Sequence, residues 1–213
     1  MDLVCFELFH PCNIIISGAS GAGKTTAVAN LLERRNEILS ERIDRIIYVF
    51  SEFQPIYSRL QASIPGIIFT NSVKDLQTLD IRSSIIVIDD KISSMGKGED
   101  NEIITSLFTV RGHHLHATIV LITQNIFHKN MREASISVHY LLLLDQPRDK
   151  SSYMVVGRQI FPGSKFFSEA YVKCVVEKPF GMLFVDLHPK NKYLRTCVRS
   201  SIFRDSDTLV YVP

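Results

Sequence analysis

Residues Gly18-Ala19-Ser20-Gly21-Ala22-Gly23-Lys24-Thr25 match the pattern G-x-x-x-x-G-K-[ST] at every fixed position. Each residue type has a physical job there. Glycines let the backbone wrap closely around phosphate oxygens with its N–H groups pointing inward. A lysine at the seventh position reaches the β- and γ-phosphates of a nucleoside triphosphate as a point charge, and the hydroxyl that follows can ligate Mg²⁺. The expected binding segment is therefore Gly18, Ala19, Ser20, Gly21, Ala22, Gly23, Lys24, Thr25 and the next residue, Thr26, with ATP and Mg²⁺ as the ligands.

Two further groups have the chemistry to act on that triphosphate. Ser84-Ile85-Ile86-Val87-Ile88-Asp89-Asp90 is an aliphatic run ending in two carboxylates. A carboxylate at a strand end beside a phosphate loop can hold Mg²⁺ through its water shell, which assigns Asp89 with Thr25 to the metal. Its neighbour Asp90 can polarise the water that attacks the γ-phosphate. Thr118 to Gln124 is a second aliphatic run with a polar end, and Gln124 can hydrogen-bond the γ-phosphate or the attacking water and report hydrolysis. The acidic end argues against a GTPase: no D-x-x-G follows Asp89, and no N-K-x-D occurs anywhere. The expected catalytic set is Lys24, Asp89, Asp90 and Gln124, with one arginine still to be found.

The elements that must position these groups are legible as short apolar runs alternating with helical patterns. Strands are expected at Asn13 to Ser17, Arg45 to Ser51, Ile67 to Thr70, Ser84 to Asp90, Thr118 to Gln124, Val138 to Leu144 and Met182 to Leu187, with a helix from Lys24 to Leu39. Runs this rich in Ile, Val and Leu, lacking in/out alternation, suit strands covered on both faces. The fold class is α/β, with a mainly parallel central sheet flanked by helices. Ligands of such sheets sit at the carboxyl ends of the strands, where the phosphate loop, the aspartates and Gln124 all fall. The last twenty residues are less regular and fit either a terminal hairpin or an edge extension of the sheet.

The 213 residues suit one domain, with a core at about 10–190 and an extension at about 191–213. A net charge of +2 neither demands nor excludes nucleic acid. Cys5, Cys12, Cys174 and Cys197 show no C-x-x-C spacing and read as free thiols of a reducing, intracellular compartment. The first ten residues do not resemble a signal peptide, and no run is long enough for a membrane span. His113, His114, His116 and His128 lack nearby cysteines and an i, i+4 helical pair, so subunit or DNA contacts are expected of them rather than zinc. Phe161, Phe166, Phe167 and Tyr171 have near-helical spacing and read as core. The small, polar stretch Ser93 to Glu99 reads as a surface loop, with Lys91 and Lys97 as candidates for DNA phosphate contacts.

The whole chain resembles the FtsK–HerA superfamily of DNA-pumping ATPases, and within it the genome-packaging ATPases of poxvirus-like viruses, Polinton (Maverick) elements and adintoviruses. The blocks that carry the resemblance, beyond the phosphate loop and I-D-D, are Val110-Arg111-Gly112-His113-His114, Thr123-Gln124-Asn125-Ile126-Phe127 and Asp145-Gln146-Pro147-Arg148-Asp149-Lys150. Gly157-Arg158-Gln159-Ile160-Phe161-Pro162-Gly163, Lys178-Pro179-Phe180-Gly181 and the tail Val210-Tyr211-Val212-Pro213 extend it. The resemblance implies a RecA-like P-loop NTPase core, assembly as a homo-oligomeric ring, and ATP-driven movement of double-stranded DNA into a preformed capsid, with a capsid or portal vertex as partner inside an infected host cell. It also implies an arginine supplied by the next subunit. Arg111 ranks first because its block is one where the family keeps an arginine, followed by Arg148, Arg132 and Arg158. Many superfamily members carry Asp-Glu where this chain has Asp89-Asp90; poxvirus-like packaging enzymes tend to share the two aspartates. The alternatives are a small-molecule kinase, which would need an arginine-rich lid that the sequence lacks, and a nucleotide-gated scaffold.

Overall fold

A computed structural model describes residues 6–91, 98–128, 132–191, 197–205 and 207–213. Among these residues nine strands form one sheet: β1 (Asn13–Ser17), β2 (Arg45–Val49), β3 (Ile68–Thr70), β4 (Ser84–Asp89), β5 (Thr118–Thr123), β6 (Tyr140–Leu143), β7 (Leu183–Asp186), β8 (Val198–Arg199) and β9 (Val210–Tyr211). Their order is β3-β2-β4-β5-β1-β6-β7-β8-β9. The first six in that order run parallel, and the last three are antiparallel to their neighbours. All seven strands expected from the apolar runs are present. The tail extends the sheet edge: β8 pairs with β7, and β9 with β8.

The uninterrupted apolar runs have a direct packing reason. Along β1, Ile15 belongs to one core and Ile14 and Ile16 to another, on the opposite face. Alternation persists, but both faces are dry. The helices α1 (Lys24–Glu33), α2 (Arg35–Ile38) and α3 (Pro55–Ser63) cover the face with Ile14, Tyr48, Val87 and Ile122. The other face, with Ile15, Ile47, Ile88 and Leu121, is covered by α4 (Glu99–Ser106), α5 (Gly112–His114), α6 (Arg132–Ile136), α7 (Lys150–Ile160) and α8 (Phe166–Tyr171). Phe161, Phe167 and Tyr171 are buried there, as expected. The described cysteines, Cys12, Cys174 and Cys197, are free and buried. Among the described residues no helix is long and apolar enough to cross a membrane.

The helix expected to run unbroken from Lys24 to Leu39 is two helices. Arg34 leaves helical geometry at φ −101° and ψ 16°. Arg35 then donates from its guanidinium to the carbonyls of Leu32 at 2.9 Å and Ile43 at 2.7 Å, satisfying an orphan carbonyl at the end of α1. The break delivers Ile38 and Leu39 to the core and pairs this segment with Leu8, whose N–H donates to the Ile38 carbonyl and whose carbonyl accepts from Ser40. Helical periodicity continued through Arg34, but the tertiary demand of the Leu8 bridge overrode it.

Candidate active site

Strand β1 ends at Ser17, and the chain turns into the glycine-rich loop before α1 begins at Lys24. Gly21 and Gly23 sit in the left-handed region, at φ 79° and 94°, where a side chain would be strained. Gly18 is needed for a different reason: a Cβ there would lie 2.9 Å from the Cβ of Leu144. Neighbouring strands fix the loop, since the Gly18 N–H donates to the Thr123 carbonyl and the Ala19 N–H to the Asp145 carbonyl. Tyr153 on α7 donates its hydroxyl to Ser17 Oγ at 2.9 Å, anchoring the strand end from below. Lys24 Nζ donates to the carbonyls of Gly18 and Ala19, at 2.8 and 2.7 Å. Burial lowers the Lys24 pKa, while the charges of Asp90 and Asp89 act to raise it, which places both carboxylates within electrostatic range of the ammonium.

The two aspartates have unlike surroundings. Asp89 is buried, and its Oδ2 accepts from the hydroxyls of Tyr48 on β2, at 2.8 Å, and Tyr57 on α3, at 3.1 Å. Burial pushes the Asp89 pKa up; the two tyrosine hydroxyls, which favour the carboxylate, oppose that shift. The tyrosines are themselves pushed well up by burial and by the Asp89 charge, so they stay protonated donors. Asp90 leaves the strand at φ 51°, a left-handed position that aspartate tolerates better than most side chains, and its side chain is exposed. Its carbonyl accepts from Ser51 Oγ at 3.0 Å. One carboxylate is thus fixed and dry while the next is exposed to solvent.

Strand β5 lies between β4 and β1, so Gln124 emerges between the acidic strand end and the phosphate loop. Its carbonyl accepts from Gln146 Nε2 at 2.8 Å, and its side chain is exposed. The loop borders a cavity of about 590 Å³, lined by residues 21–27 on one side and by Leu144, Phe180 and Met182 on the other. A larger cavity of about 740 Å³, lined by Ile136, Val138 and Ile160, lies away from these groups and takes none of them in.

The structure brings Lys24, Thr25, Asp89, Asp90 and the Gln124 backbone to one edge of the sheet. It does not bring Arg111. That residue lies in a π-helical turn, Leu107–Arg111, inside the crossover helix that returns to the start of β5. Phe108 in the same turn accepts at its carbonyl from Asn13 Nδ2 at 2.8 Å, and Asn13 opens β1. Arg111 therefore sits at the amino edge of the sheet, about 16 Å of strand from its own phosphate loop. Arg148 instead lies on the segment whose Asp145 carbonyl caps Ala19, at the carboxyl edge. Between Gly18 and Asp90 every arginine is held in a local ion pair: Arg34 with Glu37 and Asp205, Arg35 and Arg42 with Asp44, Arg45 and Arg82 with Asp80, and Arg59 with Glu33. Lys91 donates from Nζ to the Asn71 carbonyl at 2.6 Å. Lys97 and most of the proposed DNA loop, residues 92–97, lie outside the described residues.

The overall fold is similar to that of solved structures. The genome packaging NTPase B204 from Sulfolobus turreted icosahedral virus 2, in complex with ATP-gammaS, matches with a TM-score of 0.58 at 13% identity, over 83% of this chain and 92% of its own. The chain carries the RecA-like P-loop NTPase fold. B204, the DNA-packaging ATPase from Sulfolobus Turreted Icosahedral Virus, gives 0.58 at 14% identity, over 84% of this chain and 94% of that one. The cytoplasmic domain of the Thermomonospora curvata Type VII secretion ATPase EccC gives 0.56 at 14% identity, over 82% of this chain but 24% of that one. No family model matches the chain, and no curated protein does. At such identities the likeness is one of fold.

Sequence reasoning missed Tyr48 and Tyr57. In the sequence they read as an apolar strand residue and a helix residue, and no local spacing links either to Asp89. Gln146 entered only as part of a resembling block; its bond to the Gln124 carbonyl links the ends of β5 and β6, which are consecutive in sequence but separated in the sheet by β1.

Proposed function

We propose that the chain is an ATPase that drives double-stranded DNA into a preformed viral capsid, working as a homo-oligomeric ring. The observation that carries the ATPase part is the convergence of Lys24, Asp89 and Asp90 at the carboxyl edge, one carboxylate buried and hydrogen-bonded and the other exposed. The donor set fits Mg²⁺: Asp89 offers a carboxylate held in place through Oδ2, and Thr25 a hydroxyl, both hard oxygen ligands. Bound Mg²⁺ supplies positive charge against the charge that builds on the phosphates. Lys24 leaves its loop carbonyls for the β- and γ-phosphate oxygens, the loop N–H groups from Gly18 to Thr26 cradle them, and Asp90 takes up a proton from the attacking water. Gln124 senses the γ-phosphate from the end of β5.

Support for the DNA-packaging part comes from the resembling blocks and from the fold shared with the two viral B204 proteins, a genome packaging NTPase and a DNA-packaging ATPase. Arg111 has no described ion pair and is out of reach of its own loop, so it acts on the nucleotide of a neighbour. That requires the amino edge of one subunit to face the carboxyl edge of the next, a head-to-tail contact of the kind that closes rings. Duplex DNA in the channel, a capsid or portal vertex as docking partner, and action inside the infected cell complete the reading. The deciding experiment is ATP hydrolysis by the purified chain with and without long duplex DNA. Stimulation by DNA of any sequence supports a translocase. Hydrolysis unaffected by DNA but coupled to a small phosphate acceptor indicates the kinase, and nucleotide binding without turnover the scaffold.

A further inference from the structure

Three residues far apart in sequence meet at the amino edge of the sheet. His10 leads into β1, Glu41 lies in the loop after α2, and His116 lies in the turn before β5. The His10 and His116 rings are 4.5 Å apart and nearly perpendicular. His116 Nε2 lies 2.9 Å from Glu41 Oε2. One ligand atom from each of the three residues falls within 4.8 Å of the other two, the only such group of histidine, cysteine and acidic residues among the described residues.

The second observation is His10 itself. It is 5% exposed, its Nδ1 is 2.7 Å from Thr118 Oγ1, and its Nε2 is buried with no hydrogen bond. A buried polar nitrogen left without a partner is uncommon and calls for an explanation. We propose that His10 Nε2, the His116 imidazole and the Glu41 carboxylate form a site for a divalent transition metal, with zinc the best-fitting ion. Two imidazoles and one carboxylate are a three-ligand zinc set that leaves a fourth position for water, whereas Mg²⁺ and Ca²⁺ favour oxygen throughout. Tightening the three atoms to zinc's short bonds needs only side-chain movement of Glu41 and His116, both of which are partly exposed.

The surroundings suit that role. For Nε2 to present its lone pair, Nδ1 carries the proton and donates to Thr118 Oγ1, an outer hydrogen bond of the type that orients metal-bound histidines. The Thr118 hydroxyl oxygen also accepts from the Cys12 N–H at 3.2 Å, so its position is fixed from the β1 side. Burial and the neighbouring His116 push the His10 pKa down, with Glu41 and the His116 backbone acting the other way. Of the nearby imidazoles, His139 accepts at Nδ1 from the Asn13 N–H, and His188 at Nδ1 from the Lys190 N–H. A metal here pins the starts of β1 and β5, the two strands whose far ends carry the phosphate loop and Gln124. The length of β1 separates it from the Mg²⁺ ligands, and it stands independently of the ATPase reading.

The test uses the full chain without nucleotide. Zinc binding is measured by competition with a chromophoric chelator, and the ligand field with Co²⁺ as a coloured substitute. One Zn²⁺ per chain is expected, undisturbed by excess Mg²⁺, with a low-coordinate Co²⁺ spectrum and a zinc-dependent rise in Tm. Glu41→Gln keeps a neutral partner for His116, and His116→Asn keeps a residue suited to the left-handed φ of 52° found there. Each should weaken binding by more than the ~10–100-fold typical of losing an outer-shell partner. His114→Ala should leave it unchanged. Absence of binding at micromolar zinc overturns the proposal. So does binding that both ligand variants retain, which would assign the ion to other histidines.

Discussion

Tyr48→Phe removes one oxygen from the interior and nothing else. The lost hydroxyl donates to Asp89 Oδ2 at 2.8 Å, leaving Tyr57 at 3.1 Å as the remaining donor. A hydrogen bond to a charged group contributes about 1.5–3 kcal/mol, which at 1.36 kcal/mol per pKa unit is roughly 1–2 units added to an Asp89 pKa that burial already raises. A carboxylate whose folded pKa is raised gives stability that is present below its unfolded value and is lost as pH rises through the folded value. The variant should therefore be only slightly destabilised at the acidic end, and its deficit should grow with pH to about 1.5–3 kcal/mol once Asp89 is ionised in both proteins. Urea unfolding of the two proteins at a series of pH values reads this directly. Because Mg²⁺ needs the ionised carboxylate, the acid limb of ATP hydrolysis should move to higher pH by the same ~1–2 units at fixed Mg²⁺, with the plateau rate little changed. A stability deficit that is flat with pH, together with coincident acid limbs, would refute the idea that Tyr48 holds Asp89 in its charged form.

Lys24→Ala should abolish tight ATP binding, since Lys24 is the cation of the loop; a fluorescence titration showing unchanged affinity would move the site elsewhere. Asp90→Asn should bind ATP and Mg²⁺ normally yet slow turnover by ~10²–10⁴-fold, and a near-normal kcat would remove Asp90 as the base. Arg111→Ala should bind ATP and hydrolyse it poorly. Mixed with Asp90→Asn in the presence of DNA, it should regain part of the activity, because some interfaces then pair an intact Asp90 with an intact Arg111. No recovery at any ratio, in rings shown to exchange subunits, would rule out the trans role and turn attention to Arg148 at the loop's own edge.

The expected fold and the groups expected at the site were read from local chemistry. Gly21 and Gly23 occupy left-handed positions because the loop pattern requires them, and Lys24 begins α1 because a strand, a glycine turn and a helix follow in uninterrupted order. Asp89 ends β4 where the aliphatic run ends. The helix break at Arg34 was not legible, because the residues on either side keep a helical pattern and only the Leu8 bridge and the Arg35 bonds impose the turn. The edge extension by β8 and β9 was undecided because such short strands carry too few residues for a periodicity to show.

By itself the sequence determined which residues can do chemistry and at which strand ends they lie, since glycine φ preferences, side-chain charge and run length act over a few residues. Tertiary structure alone decided who surrounds them. Tyr48 and Tyr57 reach Asp89 from 41 and 32 residues away, and His10 meets Thr118 across 108. Arg111 is sent to the edge opposite its own loop by the crossover helix that returns from β4 to β5. Parallel strands place residues distant in sequence side by side, and no spacing rule records that adjacency, because it is fixed by strand order and by the two cores that hold the sheet between them.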